Sequence, residues 1–412
     1  MSVWKFRIVY LTNARLPTEK AHGYQICKMC EAFALNGAQV LLLHPYRHQT
    51  DPRLIGRTVF DYYGVKPIFQ VQTLKNWDVV VLNRFIPDRI FTPLFFAHAF
   101  VWGYYAALVA RRYRADLYYT RDSIVAYWLV RMGLPTVYEA HVVPKRGQRW
   151  LLRRITRHPS LRLVVALTSF ILQEFSDIAL GFPSERTIVL PHGVDLDLFE
   201  ELPNKVDCRQ RLGLDLNRAI IGYIGRFRAV RIEKGIPELL TAMGNLSPVD
   251  ASEPLLLCVG GPMEVVPAYI DLARRIGIPG HRLKFVDRVP NTEVPLWIRS
   301  CDLVVLPLTE TYMVHVGSMP LKLFEYMAAG VPILATDLPS IRDVLRHNEN
   351  AWLVPPGDPK ALAEGIRHLL KNPELAERLA RQAREDVRQY TWKRRAATIL
   401  QHVFGLQKVE AK

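Results

Sequence analysis

The chain has 412 residues, of which half are apolar and 23% are charged, so it is long enough for two domains of ordinary size and is not intrinsically disordered. Its 54 Lys and Arg residues outnumber 39 Asp and Glu residues, giving a net charge of +15 that favours anionic partners such as nucleotides, an anionic membrane surface or nucleic acid. Nucleic acid is the least favoured of these, because the sequence contains no recognition motif for it.

Short apolar strands alternate with helix-length segments in the first half of the chain. Strands are predicted at residues 7–11, 39–43, 79–82, 117–120, 136–139, 163–167 and 187–190, with a first helix at about 24–36. This alternation predicts an α/β domain with a mainly parallel sheet of the doubly wound class, whose ligands bind beyond the carboxyl ends of the strands. Arg121 and His141 follow such ends, and Gly23 lies at the N-terminus of the first helix, where the backbone can approach a ligand closely. All three are candidate site residues, although a structural role is open for each.

An apolar segment lies between two of these predicted strands. Residues 90–110 include no charged side chain and approach the length of a membrane span. A spanning helix would place strands 79–82 and 116–119 on opposite sides of a bilayer, although both are predicted to pair in one sheet. The segment therefore predicts a crossover helix with an apolar outer face, and a membrane span is the alternative.

A basic ridge follows, with no acidic residue in it. Its members are Lys145, Arg146, Arg149, Arg153, Arg154, Arg157 and Arg162. At helical spacing they predict either contact with an anionic membrane surface or an ordinary solvated helix face.

Five cysteines are scattered along the chain. Cys27 and Cys30 form a C-x-x-C inside a predicted helix, but no second pair completes a zinc site, so core packing is favoured. The N-terminus has no signal-peptide pattern, which predicts a reducing, cytoplasmic location. Together with the basic ridge and the apolar segment at 90–110, this location favours a peripheral position on the inner face of the cell membrane.

The alternation of strands and helices restarts in the second half, after a turn-rich, polar stretch at 191–217 that is predicted to be a linker. Strands are predicted at residues 219–224, 255–259, 283–286, 303–306 and 333–336, and a last helix at 390–404. The pattern predicts a second doubly wound domain. The predicted bounds are 1–198 for the first domain and 199–390 for the second.

Two segments of this second domain suit an anionic ligand. Gly225 and Arg226 follow a strand, and Lys234 precedes a helix, which suits a pyrophosphate, although both cations could instead pair with surface carboxylates. In the segment 317–337, a helix predicted to begin with Ser318 as its cap and Pro320 in its first turn carries Glu325, which can accept two ribose hydroxyls. An ordinary helix with a solvated glutamate is the alternative.

These segments together resemble one family. PHGVD at 191–195, YIGRF at 223–227 with a later KG at 234–235, VGG at 259–261, CDLVVLPL at 301–308 and PLKLFEYMAAGVPILATD at 320–337 occur in the order seen in retaining GT-B glycosyltransferases of the family 4, or group 1, type. The resemblance implies two Rossmann-like domains facing across a cleft. Residues 1–198 would bind the acceptor, residues 199–390 the donor, and the C-terminal helix at 391–412 would pack back on the first domain.

The resemblance also implies roles for individual residues. Arg226 and Lys234 match the pair that neutralises the departing diphosphate, and His141 matches the histidine that reaches toward the transferred sugar, so these three are the candidate catalytic residues. Arg121 joins His141 on the acceptor side. The implied donor-binding residues are Gly23, Gly225, Arg226, Lys234, Gly260, Gly261, Gly317, Ser318, Met319, Pro320, Leu321 and Glu325.

At one position the chain departs from the family pattern. The first glutamate of the E-x7-E motif, which helps to position the sugar, is replaced by Gly317. Backbone N–H groups of residues 317–319 could do this work, and Glu310 is an unaligned substitute.

The implied function is that of a retaining hexosyltransferase. It would use a nucleoside-diphosphate sugar and a glycan or lipid-linked sugar acceptor in cell-surface polysaccharide or glycolipid synthesis. The implied mechanism is front-face substitution, with neither metal nor cofactor. The alternatives are a GT-B enzyme of another reaction, such as a sugar-nucleotide epimerase or a phosphorylase, and a non-catalytic nucleotide-sugar binding protein. The base, sugar, acceptor and linkage are left open.

Overall fold

Two parallel sheets covered by helices make up the computed structural model, which describes residues 6–144, 146–229, 232–246, 253–311, 317 and 319–405. Contacts divide the chain into two units. The first unit runs to His192 and includes the C-terminal helix from Trp392, and the second is Gly193–Thr391. The sequence placed the boundary between residues 198 and 199.

The first unit contains a seven-stranded sheet in the order β3-β2-β1-β4-β5-β6-β7, with every pairing parallel. Ile8 on the central strand is in register with Val40 on one side and Leu117 on the other. The strands are β1 Phe6–Leu11, β2 Ala38–Pro45, β3 Gln70–Leu74, β4 Leu117–Thr120, β5 Thr136–Ala140, β6 Leu161–Ala166 and β7 Thr187–Val189.

Helices cover both faces of this sheet. They are α1 Ala21–Leu35, α2 Val59–Tyr63, α3 Asp88–Arg111, α4 Ser123–Arg131, α5 Arg146–Thr156, α6 Ser169–Ser176 and the C-terminal helix Trp392–Phe404, with 3-10 turns at Pro52–Leu54, Val79–Arg84 and Ser184–Arg186. Parallel crossovers are right-handed, so the reversal of strand order beside β1 puts α1 on one face of the sheet and α3, α4 and α5 side by side on the other. The C-terminal helix packs against α1.

The strand predicted at 79–82 is wrong. Its apolar residues form the exposed 3-10 turn Val79–Arg84, and the sheet's third strand is Gln70–Leu74. That strand lies at the sheet edge with most of its side chains exposed. Because exposed positions accept polar residues, its sequence has no continuous apolar run by which it could be predicted. The apolar segment that follows is a crossover helix, as predicted, because α3 joins β3 to β4.

The second unit contains a six-stranded parallel sheet in the order β12-β11-β8-β13-β14-β15 and a short antiparallel ribbon of β9 and β10. Its strands are β8 Ile220–Ile224, β9 Arg228–Ala229, β10 Ile232–Glu233, β11 Leu255–Val259, β12 Leu283–Val286, β13 Leu303–Leu306, β14 Ile333–Thr336 and β15 Trp352–Val354. The central strands β8, β11, β13 and β14 are buried along their whole length, which explains their continuous apolar sequences.

The described helices of this unit are α7 Asp197–Glu200, α8 Lys205–Leu212, α9 Ile236–Gly244, α10 Val266–Arg275, α11 Val294–Arg299, α12 Leu321–Ala329, α13 Pro339–Arg342, α14 Pro359–Lys371 and α15 Pro373–Asp386, with 3-10 turns at Met263–Val265, Gly280–Arg282 and Val387–Gln389. The predicted linker is wrong in its second part. α8 is folded onto the sheet because the buried Arg209 donates to the carboxylate of Asp302 at 2.5 Å and to the carbonyl of Ser300 at 2.8 Å.

All five cysteines are buried with free thiols, which confirms the core-packing prediction. In both sheets the strand order reverses beside the first strand, between β1 and β4 and between β8 and β13. Such a reversal opens a crevice at the carboxyl ends of the strands, where ligands of doubly wound sheets bind.

Candidate active site

Two glycine loops touch at the carboxyl edge of the second sheet. Gly225 follows β8, and Gly260 and Gly261 follow the neighbouring strand β11, all three with positive φ. The amide of Gly225 donates to the carbonyl of Val259 at 2.6 Å, and a Cβ on Gly260 would lie 2.6 Å from the carbonyl carbon of Gly225. Only glycine fits this approach, so the loops leave backbone exposed to a ligand at the switch point.

Two cations lie beside these loops. Arg226 follows Gly225 and its Nε donates to the carbonyl of Arg228 at 2.9 Å. Lys234 precedes Gly235, whose left-handed conformation caps the N-terminus of α9. Burial, and to a smaller extent the charge of Arg226, lowers the pKa of Lys234 from 10.5 to about 8. The two positive charges are thus close enough to repel each other, an arrangement that an anion would relieve.

A third cation is Lys322, on the first turn of α12. The residue is only 7% exposed, and its Nζ lies 3.5 Å from the ring centroid of Tyr223. Among the described residues this Nζ has no hydrogen-bond partner. The side chain fills the position that a Cβ on Gly225 would need. Burial and the charge of Lys234 hold the pKa of Lys322 well below its ordinary value. An unsatisfied buried amine aimed at a glycine loop is costly without an anion.

Glu325 lies one turn further along α12 and is half-buried. Burial raises its pKa to about 7, and the nearby charge of Lys322 opposes that rise. The helix is fixed to β8 by Tyr326, whose hydroxyl accepts from the amide of Ile224 at 2.8 Å and donates to its carbonyl at 3.0 Å. Glu325 is therefore held at a defined distance from the end of β8.

The other predicted residues around α12 differ in how much of each is available to a ligand. Pro320 is the N-cap rather than part of the first turn, and Leu321 is the first helical residue. The side chain of Met319 is buried in the core, so only its backbone is available to a ligand. Gly317 is buried with φ +63°, and Ser318 lies outside the described residues. The helix α12 is buried on most sides.

A buried carboxylate organises the first unit's site. Glu139, at the end of β5, is fully buried. It accepts hydrogen bonds from four side chains: Gln25 at 3.1 Å, His141 at 2.8 Å, Arg395 at 2.8 Å and Tyr119. Burial alone would raise the pKa of Glu139, but the charge of Arg395 and the hydrogen bonds from His141 and Tyr119 hold it well below the ordinary value.

His141 is neutral in this setting. Burial, with a contribution from the charge of Arg121, lowers its pKa to about 4. Because Glu139 is ionised, the ring nitrogen bonded to it, Nε2, is the one that carries the proton. This leaves Nδ1 as the basic nitrogen of the neutral ring. His192 lies beside it, with ring centroids 5.6 Å apart.

Arg121 and Gly23 stand near this network. Arg121 follows β4 and donates to Gln25 at 2.8 Å, which links it through Gln25 to Glu139. Gly23 lies within the first turn of α1, which begins three residues before its predicted start. A Cβ there would overlap the hydroxyl of Tyr63 and lie 2.7 Å from Cγ2 of Thr18. The need for glycine at this position therefore has a packing explanation.

Sequence reasoning missed Lys322, Glu139 and Arg395. Glu139 could have been found, because residues two apart on a strand share a face and His141 had been identified. Lys322 could also have been found, since it precedes Glu325 by three residues on one helix. Arg395 gives no local signal, because it lies 256 residues from its partner. Over the described ranges, no group of three or more His, Cys, Asp or Glu side chains is placed to hold a metal ion.

Two family models match the chain. The model of glycosyl transferases group 1 matches residues 205–386, and that of Glycosyltransferase Family 4 matches residues 25–198. The two matches fall on the second and first sheets respectively.

Curated relatives of this chain are also glycosyltransferases. A D-inositol 3-phosphate glycosyltransferase of Thermobispora bispora is 27% identical over 290 residues, 66% of either chain. A phosphatidyl-myo-inositol mannosyltransferase of Mycobacterium leprae is 30% identical over 231 residues, 55% of this chain and 56% of the relative. The chain thus spans about two thirds or less of these relatives' lengths.

Two solved structures resemble the whole chain. The sucrose-phosphate synthase of Thermosynechococcus elongatus has a TM-score of 0.72 at 20% identity, with 96% of this chain and 98% of that one covered. Anabaena HepE in complex with UDP-glucose has a TM-score of 0.68 at 19% identity, with 97% and 100% covered. At these identities the likeness concerns the fold.

Proposed function

The chain belongs to the GT-B glycosyltransferases of the group 1 and family 4 type, and we propose that it transfers a hexose-type unit from a nucleoside-diphosphate sugar to a glycan or lipid-linked acceptor. The observation that carries this proposal is the cation cluster of the second unit. Arg226, Lys234 and Lys322 surround the glycine loops at the sheet's switch point, and Glu325 is the carboxylate beside them. A diphosphate would supply a partner for the amine of Lys322, which has no hydrogen-bond partner within the described residues.

The roles of these groups follow from where charge develops. When the bond between the sugar and the diphosphate breaks, negative charge accumulates on the leaving diphosphate, so fixed cations stabilise the transition state more than the ground state. Arg226 can offer a planar pair of donors, and Lys234 and Lys322 offer point charges. Glu325 would accept hydrogen bonds from the two ribose hydroxyls. This division of work requires no resident metal, and none is proposed.

The first unit would supply the acceptor side. His141 is held in one tautomer by Glu139, so its orientation is fixed before any ligand arrives. We assign it contact with the transferred sugar, and we assign Arg121 to the acceptor. Retention of configuration by substitution on one face of the sugar is the mechanism proposed, with the diphosphate leaving as the acceptor hydroxyl attacks.

The acceptor class is suggested by the relatives. Their names specify D-inositol 3-phosphate and phosphatidyl-myo-inositol as the substrates of those proteins. We extend to this chain only the shared chemistry, a polyhydroxylated ring in a phosphorylated or glycolipid-type acceptor. An excess of arginine and lysine over acidic residues is compatible with such an anionic acceptor.

Thermal unfolding with a nucleotide panel tests the donor assignment. UDP, GDP, ADP and TDP and their sugars are added to the wild type and to Glu325→Ala. A ligand present at a hundred times its dissociation constant adds roughly 2.7 kcal/mol to the free energy of unfolding. We expect one nucleotide family to stabilise the wild type and to lose that effect in the variant. If no nucleotide stabilises the wild type, the donor site is wrongly assigned.

Product analysis then tests the reaction. The nucleotide sugar selected by the panel is incubated with inositol phosphates and glycolipids, and the products are separated. A new glycoside with the donor's anomeric configuration is the expected result. An altered free sugar nucleotide would identify an epimerase, and a glycoside of inverted configuration would exclude the retaining mechanism.

A further inference from the structure

The outer side of α3 carries an apolar stripe exposed to solvent. Its members recur at spacings of three and four residues, which places them on one helix face. They are Ile90, Leu94, Val101, Tyr104, Tyr105 and Leu108, and each is between 38% and 69% exposed. Residues at such spacing on a surface helix are ordinarily the ones that face a core.

The opposite side of α3 already faces the core. Ala99, Trp102, Ala106 and Ala110 are buried there, and a Cβ on Gly103 would lie 3.1 Å from Ile124 of α4. By length and composition α3 could cross a bilayer, and it alone could do so among the helices of the described residues. Its buried side and its position between β3 and β4 instead keep it within the first unit. The exposed stripe is therefore a second apolar face that the fold does not use.

The segment before α3 extends this apolar surface. Trp77 is 89% exposed and Phe85 is 76% exposed, and between them Val80, Val81 and Leu82 are each about 40% exposed in the 3-10 turn Val79–Arg84. That turn packs against α3. We call the stripe together with Trp77, Phe85 and this turn the apolar surface. Contiguous apolar surfaces of this kind mark binding sites for a protein or a membrane.

Both ends of the apolar surface are basic. Arg84 and Arg89 are exposed at the N-terminal end of α3, beside the acidic Asp88, and Arg111, Arg112 and Arg114 are exposed at its C-terminal end. Arginines at the ends of an apolar helix can extend their charged groups to lipid phosphates while their aliphatic parts stay in the apolar region. If a second copy of this chain covered the stripe, arginines of one copy would lie beside arginines of the other, whether the two helices packed parallel or antiparallel. The resulting repulsion disfavours such a dimer.

The basic ridge lies on the same side of the sheet. α5 exposes Arg149, Arg153 and Arg154, while Leu151 and Leu152 are buried. Trp150, half-exposed on α5, lies 5.9 Å from Tyr127 of α4, and Tyr127 lies 5.7 Å from Phe100 of α3. Only α4 thus separates the ridge from α3. Arg162 is on β6 rather than on the helix, and Lys145 lies outside the described residues.

We propose that this side of the first unit docks on a bilayer that contains anionic lipids, with the apolar surface in the interface and the arginines of α5 over the headgroups. The inference goes beyond the proposed function and does not depend on it. A helix of 24 residues is about 36 Å long, so α3 would lie in the plane of the membrane. Amphipathic helices of this kind bury their apolar face roughly 5–10 Å deep and gain further affinity from anionic lipids.

Co-sedimentation of the full chain with vesicles tests the proposal. One set of vesicles is pure phosphatidylcholine, and the other is an equal mixture of phosphatidylcholine and phosphatidylglycerol. We expect the wild type to bind the mixed vesicles, and Val101→Asp to bind roughly tenfold more weakly, the factor expected for losing one buried aliphatic side chain. Val206→Asp is the matched control, since Val206 is an exposed valine in the first turn of α8 on the other unit. It should bind like the wild type.

The contribution of α5 is measured separately. Arg153→Gln combined with Arg154→Gln should weaken binding to the mixed vesicles and leave the weaker binding to phosphatidylcholine unchanged. Absence of wild-type binding, or equal binding by Val101→Asp, would overturn the proposal. So would a dimer in solution that Val101→Asp dissociates, because the stripe would then be covered by a second copy. Stabilisation by nucleotides, measured in parallel, reports the donor site independently.

Discussion

The two units treat buried charge in opposite ways. In the first, the ionised Glu139 is surrounded by Arg395, His141, Tyr119 and Gln25, so its charge is compensated before any ligand binds. In the second, burial and the charge of Arg226 lower the pKa of Lys234, and burial and the charge of Lys234 lower the pKa of Lys322. The amine of Lys322 has no hydrogen-bond partner in the part of the chain that the structure describes.

This difference suggests a structural role for the first buried charge and a ligand-binding role for the second. A compensated carboxylate fixes side-chain positions and contributes to the stability of the folded chain. A buried amine without a hydrogen-bond partner, such as that of Lys322, costs stability, and that free energy is recovered when an anion binds. The first site therefore holds His141 in a fixed position, and we propose that the second binds a diphosphate.

The largest expected effect comes from breaking the compensated site. Arg395→Met leaves Glu139 buried without its main counter-charge, so we expect the free energy of unfolding to fall by about 3–5 kcal/mol. Denaturant titration measures it. The double variant with Glu139→Gln removes both charges and should recover at least half of that loss. Additive losses in the double variant would show that the two side chains are not coupled.

The pH dependence of nucleotide affinity is the next largest effect. Lys234 must be protonated to attract a diphosphate, so affinity should fall by up to about tenfold per pH unit as the pH rises above the lysine's pKa of about 8. Isothermal titration at several pH values measures this. In Lys234→Arg the fall should disappear, because arginine stays charged in this range. An unchanged fall in Lys234→Arg would assign the titration to another group.

The same lysine has an effect on stability with a defined sign. Its pKa of about 8 in the folded chain lies below the ordinary value of 10.5. Between these values the unfolded chain binds more protons, so this group makes the folded chain more stable as pH rises from about 8 to 10.5. Saturating nucleotide should flatten this dependence, since the bound anion favours the charged lysine. Thermal unfolding with and without nucleotide over this range checks it.

The smallest expected effect is that of metal removal. Because Arg226, Lys234 and Lys322 are assigned the neutralisation of the leaving diphosphate, transfer rates should be unchanged after treatment with EDTA. Loss of transfer that Mg²⁺ or Mn²⁺ restores would contradict this assignment.

The sequence predicted central strands better than edges. The inner strands β11, β13 and β14 begin and end at the predicted residues, because nearly all of their side chains are apolar and all are buried. β3 was missed because its exposed edge position permits polar residues, and the apolar residues 79–82 were mistaken for it although they are exposed. Apolar character predicted burial in the first case and failed to do so in the second.

Some residues of the candidate site could likewise be predicted from the sequence, and others could not. Arg226, Lys234 and Glu325 could be named from the sequence because each lies beside a strand end or a helix N-terminus that the pattern already indicated. The network around Glu139 could not be named in full, because Arg395 reaches it from the far end of the chain. The apolar surface was anticipated only for α3, since the exposure of Trp77 and Phe85 depends on the misassigned segment.

Replacement of Lys322 by methionine tests most directly the proposal that the buried, unsatisfied amine of Lys322 is there to bind a diphosphate. The two side chains are similar in length, so the change removes the amine and keeps most of the packing. We expect the free chain to become more stable by about 1–3 kcal/mol, the cost of an unsatisfied buried group, and stabilisation by the nucleotide to be lost or strongly reduced. A less stable free chain that still responds fully to nucleotide would contradict the account.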